Sequence, residues 1–465
     1  MEQLLNLILV GDMRAIGNGI GIPFRRNTGQ GVIWPPDLKS ALVCWYSPRK
    51  QKLTEYDVIE SYVEDFTNWN YVKARGVATI SQHKFIITEC ILKGLGIVEN
   101  IQEPYSNLTV RIIGITDNQE VLITDYVNGQ HQIINTITED GIYTIEDRHH
   151  FVGFGCNFVG TCNITIEQLP TSILKDLSGN GNHAYLYGGK GKLNSGMGLY
   201  KVDFTSWRKS SVQTEVKPDV VKVTPNTSDY LFIQYANSVE IPSYKIKVIG
   251  LGDNVLKYQY ATENRRKEIN IVEGENELPT SIKVSNDYQI GYRLTPGTSV
   301  FTITQIPDYP DQLCYDGKMY AVCYGFPILT DYTVMAERTW FEIGSNSCFA
   351  SKRLVRDGFD DIAGAFAIEY RQKYCNNFGA ATAISFEANK QEVIVQTKAK
   401  YMSTNINVGD GDDSDILIIG ANNNRTDAPR EPYKGCHSDF LLFNRTLTQE
   451  EIDLVKNKIF QDTNN

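Results

Sequence analysis

The sequence predicts an all-β protein built from small sandwiches, one of which is present twice. Three observations carry this. Runs of alternating apolar and polar residues are broken by Asn, Asp and Gly, as at Asn128-Gly129 and Asp140-Gly141, the pattern of antiparallel hairpins. Val110-Arg-Ile-Ile-Gly-Ile-Thr-Asp-Asn118 recurs as Ile246-Lys-Val-Ile-Gly-Leu-Gly-Asp-Asn254. Asn163-Ile-Thr-Ile-Glu-Gln-Leu-Pro170 recurs as Val300-Phe-Thr-Ile-Thr-Gln-Ile-Pro307 at the same spacing to within one residue. Long helical stripes are missing, while 26 Tyr and 19 Phe favour strands.

The 465 residues are enough for two to four domains, and 22% charged with 42% hydrophobic residues is an ordinary globular balance. A net charge of -10 with no basic cluster excludes a nucleic-acid-binding surface. The nine cysteines are odd in number and form no CxxC, so buried reduced thiols are expected. Met1 to Val10 is apolar but begins with Glu2 and has no basic flank. It is too short to span a bilayer and a poor secretory signal, so the expectation is synthesis in a bacterial cytoplasm and no membrane partner.

Residues 1–36 read as a docking arm. Leu4, Leu5, Leu7, Ile8 and Leu9 precede a glycine-rich stretch with no core of its own, so their burial is expected against another chain. Gly17-Asn-Gly-Ile-Gly21 lacks the third glycine, the following helix and the lysine of a phosphate loop.

Leu42-Val-Cys-Trp-Tyr46 is an apolar strand, and Asp176-Leu-Ser-Gly-Asn-Gly-Asn-His-Ala184 a tight loop. In that loop Gly179 and Gly181 supply positive φ, and Asp176 and Ser178 can satisfy backbone amides. At the end, the strand Phe440–Phe443 runs through Asn444-Arg445 into a short helix to Phe460. Thr448 and Glu451 form a capping box, Leu447 and Ile452 a hydrophobic staple, and Ile452, Val455 and Ile459 an apolar stripe. These segments resemble the first strand, the "DLSGNGNHA" loop and the closing segment of concanavalin A-like, laminin G-type jelly rolls. In that family the first strand leads quickly to the loop, whereas here they are far apart. The next landmark, matched loosely by Asp316-Gly-Lys-Met-Tyr320, is displaced again. The resemblance therefore implies a jelly roll of 37–50, 171–210 and 311–465. Two duplicated β-sandwich inserts, 51–170 and 211–310, would leave it through loops.

Candidate chemistry is sparse. Many concanavalin A-like enzymes are glycoside hydrolases with an E-x-D-x-x-E strand, and Glu55, Asp57 and Glu60 have that spacing, with two carboxylates as nucleophile and general acid. They fall at the entrance to the first insert rather than on a central host strand, so no catalysis is expected. Asp410, Asp412, Asp413 and Asp415 offer hard oxygen ligands for Ca²⁺ in one loop, with a solvated hairpin as the alternative. His149-His150, with His131 and His183, are read as structural or surface residues, since neighbours on a strand point to opposite faces. Tyr185, Tyr187 and Trp207 flank the Gly-Asn-Gly loop as candidate sugar-stacking rings, weighed against core packing.

Beyond the fold, Tyr56-Asp-Val-Ile-Glu-Ser-Tyr-Val-Glu-Asp-Phe-Thr67, Cys162 to Pro170, Pro327-Ile-Leu-Thr-Asp-Tyr-Thr-Val334 and Phe440 to Thr448 resemble laminin G-like virion proteins. These belong to tailed phages of gut Bacteroidota, including crAss-like phages. The resemblance implies a non-enzymatic protein at the virion surface, a head fibre or capsid decoration, touching bacterial glycans and other virion proteins. A tail-mounted receptor-binding protein and a glycoside hydrolase are the alternatives. A homo-oligomer held by residues 1–36 is expected, a trimer before a dimer.

Overall fold

The computed structural model describes residues 34–100, 107–127, 130–146, 152–191, 194–209, 213–225, 231–342, 347–352, 366–369, 373–375, 389–397, 415–422 and 432–460. Their strands form six antiparallel sheets, which close in pairs over three hydrophobic cores. The protein is all-β, with short helices only at Pro36–Ala41, Pro48–Gln51 and the terminal segment among the described α-helices. The docking residues Leu4, Leu5, Leu7, Ile8 and Leu9, and Asp410, Asp412 and Asp413, lie outside the described residues.

The host sandwich is organised by Lys434–Phe443. Thr333–Trp340 lies along one edge of this strand. Leu42–Tyr46 and Asp308–Asp316 share the other, pairing with Phe440–Phe443 and Lys434–His437. Gly196–Leu199 and Gln391–Thr397 complete the six-stranded sheet. Its alternation sorts the side chains. Phe440 and Leu442 enter the core shared with the seven-stranded sheet, whereas Leu441 and Phe443 point to the opposite side. There Leu447, Ile452, Val455 and Ile459 cover them.

The covering helix, Gln449–Val455, continues as a π-helical turn, Lys456–Phe460. Its start is the expected capping box. Thr448 Oγ1 accepts from the Glu451 N–H at 3.3 Å, and Glu451 Oε2 accepts from the Thr448 N–H at 2.9 Å. Arg445 grips the same carboxylate at 2.6 and 2.8 Å and holds the Glu451 carboxyl down at about 2. Val455 and Ile459 are fully buried, each worth roughly 1.5–3 kcal/mol of apolar transfer.

The two inserts are the same design. The first has one sheet in the order Asn70–Tyr71, Gly96–Asn100, Val152–Cys156, Val121–Val127, Gln130–Ile137. Its other sheet runs Gly76–Ile80, Lys84–Cys90, Gly160–Gln168, Leu108–Ile113, Gly141–Ile145. The second repeats both orders strand for strand. Arg208–Lys209, Phe232–Tyr235, Gln289–Thr295, Val255–Thr262 and Arg265–Ile271 form one sheet. Gln213–Val216, Val220–Thr224, Phe301–Ile306, Tyr244–Ile249 and Gly274–Leu278 form the other.

The equivalence reaches single hydrogen bonds. Each copy opens on a 3-10 turn, Phe66–Asn68 or Phe204–Ser206, in which Asp65 or Asp203 accepts from the N–H two residues on at 2.9 Å. Gln168 clasps the start of the first copy, accepting from Val63 N and Glu64 N and donating to Glu64 O at 2.8 Å. Gln305 does the same to Lys201 N, Val202 N and Val202 O. Gly114 and Gly250, at φ of 93° and 83°, end equivalent strands. An acid binds the two amides at each turn, Asp140 in one copy and Glu273 in the other.

The boundaries differ from expectation at both starts. Tyr62–Leu169 closes as a unit, and residues 51–61 belong with the host, because Val58 is buried in its core. The second insert begins by Val202 rather than 211, since Val202, Phe204 and Trp207 are already in its core. The host chain leaves at Ser61 and returns at Thr171, whose N–H donates to Ser61 O at 2.8 Å. Around the second insert, Leu199 and Asp308 are register partners.

Candidate functional site

The loop 176–184 is built around one carboxylate. Asp176 Oδ1 accepts from Trp45 N and Ser178 N, and Oδ2 from Ser178 Oγ and Asn182 N, all between 2.7 and 3.1 Å. Gly179 and Gly181 take φ of 92° and 81°, the left-handed backbone the glycines were expected to supply. Asn180 donates to Leu42 O and Val43 O, and Asn182 to Val43 O, so side-chain amides cover carbonyls of the first strand. His183 Nδ1 accepts from Asp176 N, and burial holds this imidazole below its usual pKa.

Beside this loop lies an open cavity of about 470 Å³. Asn180, Asn182, Asn444, Ser40 and Thr330 give it amides and hydroxyls, and Pro327, Ile328 and Leu329 an apolar wall. No lining residue is charged. Such a site suits a neutral, hydroxyl-rich ligand better than an ion.

Of the two fates weighed for the aromatic candidates, burial is the one observed. Trp207 is 5% exposed and packs on Phe204 and Tyr292 inside the second insert. It is the counterpart of Trp69 and a core residue. Tyr185 and Tyr187 stand on the outer face of the seven-stranded sheet, because Ala184 and Leu186 face the core, but they are only 3% and 9% exposed. Tyr187 stacks on Tyr320 with centroids 5.2 Å apart, and its hydroxyl meets that of Tyr324 at 3.0 Å. Tyr320 and Tyr324 are the half-exposed members of this ladder. The period-2 pattern of Tyr320-Ala-Val-Cys-Tyr324 carried the signal for them.

The three acids at the first insert's entrance do not converge on a site. They lie in a turn rather than on a strand, so strand spacing does not apply. Asp57 accepts from Thr54 N and Oγ1 at 2.8 and 2.6 Å, and Glu60 from Gly188 N at 2.5 Å. Glu55 is half-buried next to Asp219 of the second insert. Burial first, then that like charge, pushes its carboxyl up, and burial raises Asp219 as well. Lys217 approaches both and donates to the Tyr56 hydroxyl.

Asp415 is exposed, and its carbonyl accepts from Phe326 N at 2.7 Å. Among the described residues no group of three or more His, Cys, Asp or Glu is arranged to hold a metal ion. No helix among them is long and apolar enough to cross a membrane. Among the described residues eight cysteines are free thiols, all but Cys162 buried.

No family model and no curated protein sequence matches the chain. Solved structures similar to parts of it include the Trypanosoma rangeli sialidase in complex with sialic acid, at 10% identity and a TM-score of 0.25 over 84% of each chain. Another is the N-terminal CBM22-1–CBM22-2 tandem of Paenibacillus barcinonensis Xyn10C, at 10% identity and a TM-score of 0.18. It covers 54% of this chain and 97% of that one. Likenesses this slight say nothing about the chemistry of either cavity or ladder.

Proposed function

We propose that the chain is a non-enzymatic virion surface protein of a tailed phage of gut Bacteroidota, a head fibre or capsid decoration. Residues 1–36 dock it as a homo-oligomer, and the cavity beside loop 176–184 contacts a neutral part of a bacterial glycan. One observation carries the non-enzymatic reading. The features the two inserts share — the aspartate-capped turn, the glutamine clasp, the acid on the Gly114 or Gly250 turn — all close the fold. Duplicating such a module enlarges a displayed surface, whereas duplicating a catalyst would repeat its reacting groups. Asp57 and Glu60, two of the three carboxylates with glycosidase spacing, bind backbone amides.

Immunogold labelling of purified particles locates the protein. Head labelling is expected, tail labelling would support the receptor-binding alternative, and unlabelled particles would remove the virion reading. Polysaccharide incubation tests catalysis. No cleavage is expected from the wild type or from Glu60→Gln, and cleavage lost in that variant would establish a hydrolase. Glycan binding weakened by Thr330→Trp, which blocks the cavity, would support that contact.

A further inference from the structure

We infer that Cys314 and Cys436 are a disulfide-forming pair that locks two host strands once the protein meets a small-molecule disulfide. The two residues are direct register partners across the antiparallel strands Asp308–Asp316 and Lys434–Phe443. Opposed residues in such a pair have Cα atoms about 4.5–5.5 Å apart, within the range a disulfide bridges. Both side chains are fully buried in one small cluster with Leu199, and the two thiols are within hydrogen-bonding reach of each other.

The chemistry balances with glutathione disulfide as oxidant. One cysteine thiolate attacks a glutathione sulfur, forms a mixed disulfide and expels one glutathione thiolate. The second cysteine sulfur then attacks the protein-bound sulfur and expels the other. Two protein thiols lose two protons and two electrons, and one glutathione disulfide becomes two glutathione thiols. The Cys436 thiol donates to Gln312 Oε1 at 3.0 Å, and this bond is given up in the oxidised form. Burial pushes the Cys314 thiol up, which keeps the thiolate scarce at neutral pH and makes the exchange faster in mild alkali. Access comes from the neighbouring segment. Tyr309 and Asp311 hold φ of 52° and 63°, a strained backbone for side-chain-bearing residues and a natural place for local opening.

The test uses the native full-length protein with glutathione disulfide at about pH 8.5, alkylated and digested with trypsin without reduction. The expected product is peptide 294–318 linked to peptide 435–445, absent from Cys436→Ser. A rise in unfolding temperature of roughly 5–10 °C should appear in the wild type only. A denatured, oxidised sample verifies that the linked peptide is detectable. Native protein that keeps both thiols free, carries only glutathione adducts, or links either cysteine elsewhere would overturn the pairing.

Discussion

In the first insert, Glu64 Oε2 accepts from the Trp69 indole at 3.3 Å and from Asn100 Nδ2 at 3.2 Å. In the second insert Val202 stands where Glu64 does, Trp207 packs on Tyr292, and Tyr292 shares a buried hydroxyl contact of 2.9 Å with Tyr244. One copy thus resolves its interior polarity with a carboxylate, the other with paired phenols. The backbone clasps around these interiors are nevertheless the same. Cores tolerate exchange so long as volume and polar partners are kept, whereas a clasp that holds two backbone amides has few substitutes.

That contrast can be broken most forcefully at the shared aromatic of the opening turn. Phe66→Ala and Phe204→Ala each empty a fully buried site and should cost about 3–5 kcal/mol. By calorimetry, Phe66→Ala should lower only the transition of the unit Tyr62–Leu169. A common shift of all transitions would show that this copy does not stand alone.

The host provides a pH marker that neither copy is expected to share. Burial holds the His437 imidazole at about 3, so it stays neutral in the fold while the unfolded chain binds a proton near the usual 6.5. Stability is therefore complete above pH 6.5 and falls as pH drops below it, by about 1.4 kcal/mol per pH unit until the folded group titrates. Denaturant titrations between about pH 6.5 and pH 4.5 should show a loss of roughly 2 kcal/mol that His437→Phe removes.

Smaller effects test the clasps. Gln168→Leu and Gln305→Leu each strand two backbone amides and should cost about 2 kcal/mol, alike in both copies, in urea titrations. Unequal losses would show that the clasp has been taken over by other contacts in one copy. Glu64→Val makes the first copy resemble the second at this point. It should cost roughly 1 kcal/mol by the same measurement, since it leaves the indole and an amide without their acceptor.

Much of the fold was legible because it depends on local signals. The capping box at Thr448, the glycines of loop 176–184 and the repeated Gly114 and Gly250 turns are written in short stretches of chain. The repeat Asp65-Phe-Thr-Asn-Trp69 and Asp203-Phe-Thr-Ser-Trp207 is equally local, and it marks Trp207 as a core residue like Trp69. The cavity could not be read in advance. Its walls come from residues near 40, 180, 328 and 444, brought together by the pairing of Lys434–Phe443 with Leu42–Tyr46 and Thr333–Trp340 and by the amides of loop 176–184 on the first strand. The spacing of Glu55, Asp57 and Glu60 carries no strand meaning here, because these residues do not form a strand.

The hydrogen bond between Thr171 and Ser61 makes the host a socket. The outgoing and returning chain ends are already side by side, so the loop-closure entropy of the host changes little with what is spliced between them. A lineage could exchange, lose or lengthen that cassette without redesigning the host sandwich. A protein engineer could do the same, splicing a foreign domain into the host between residues 61 and 171.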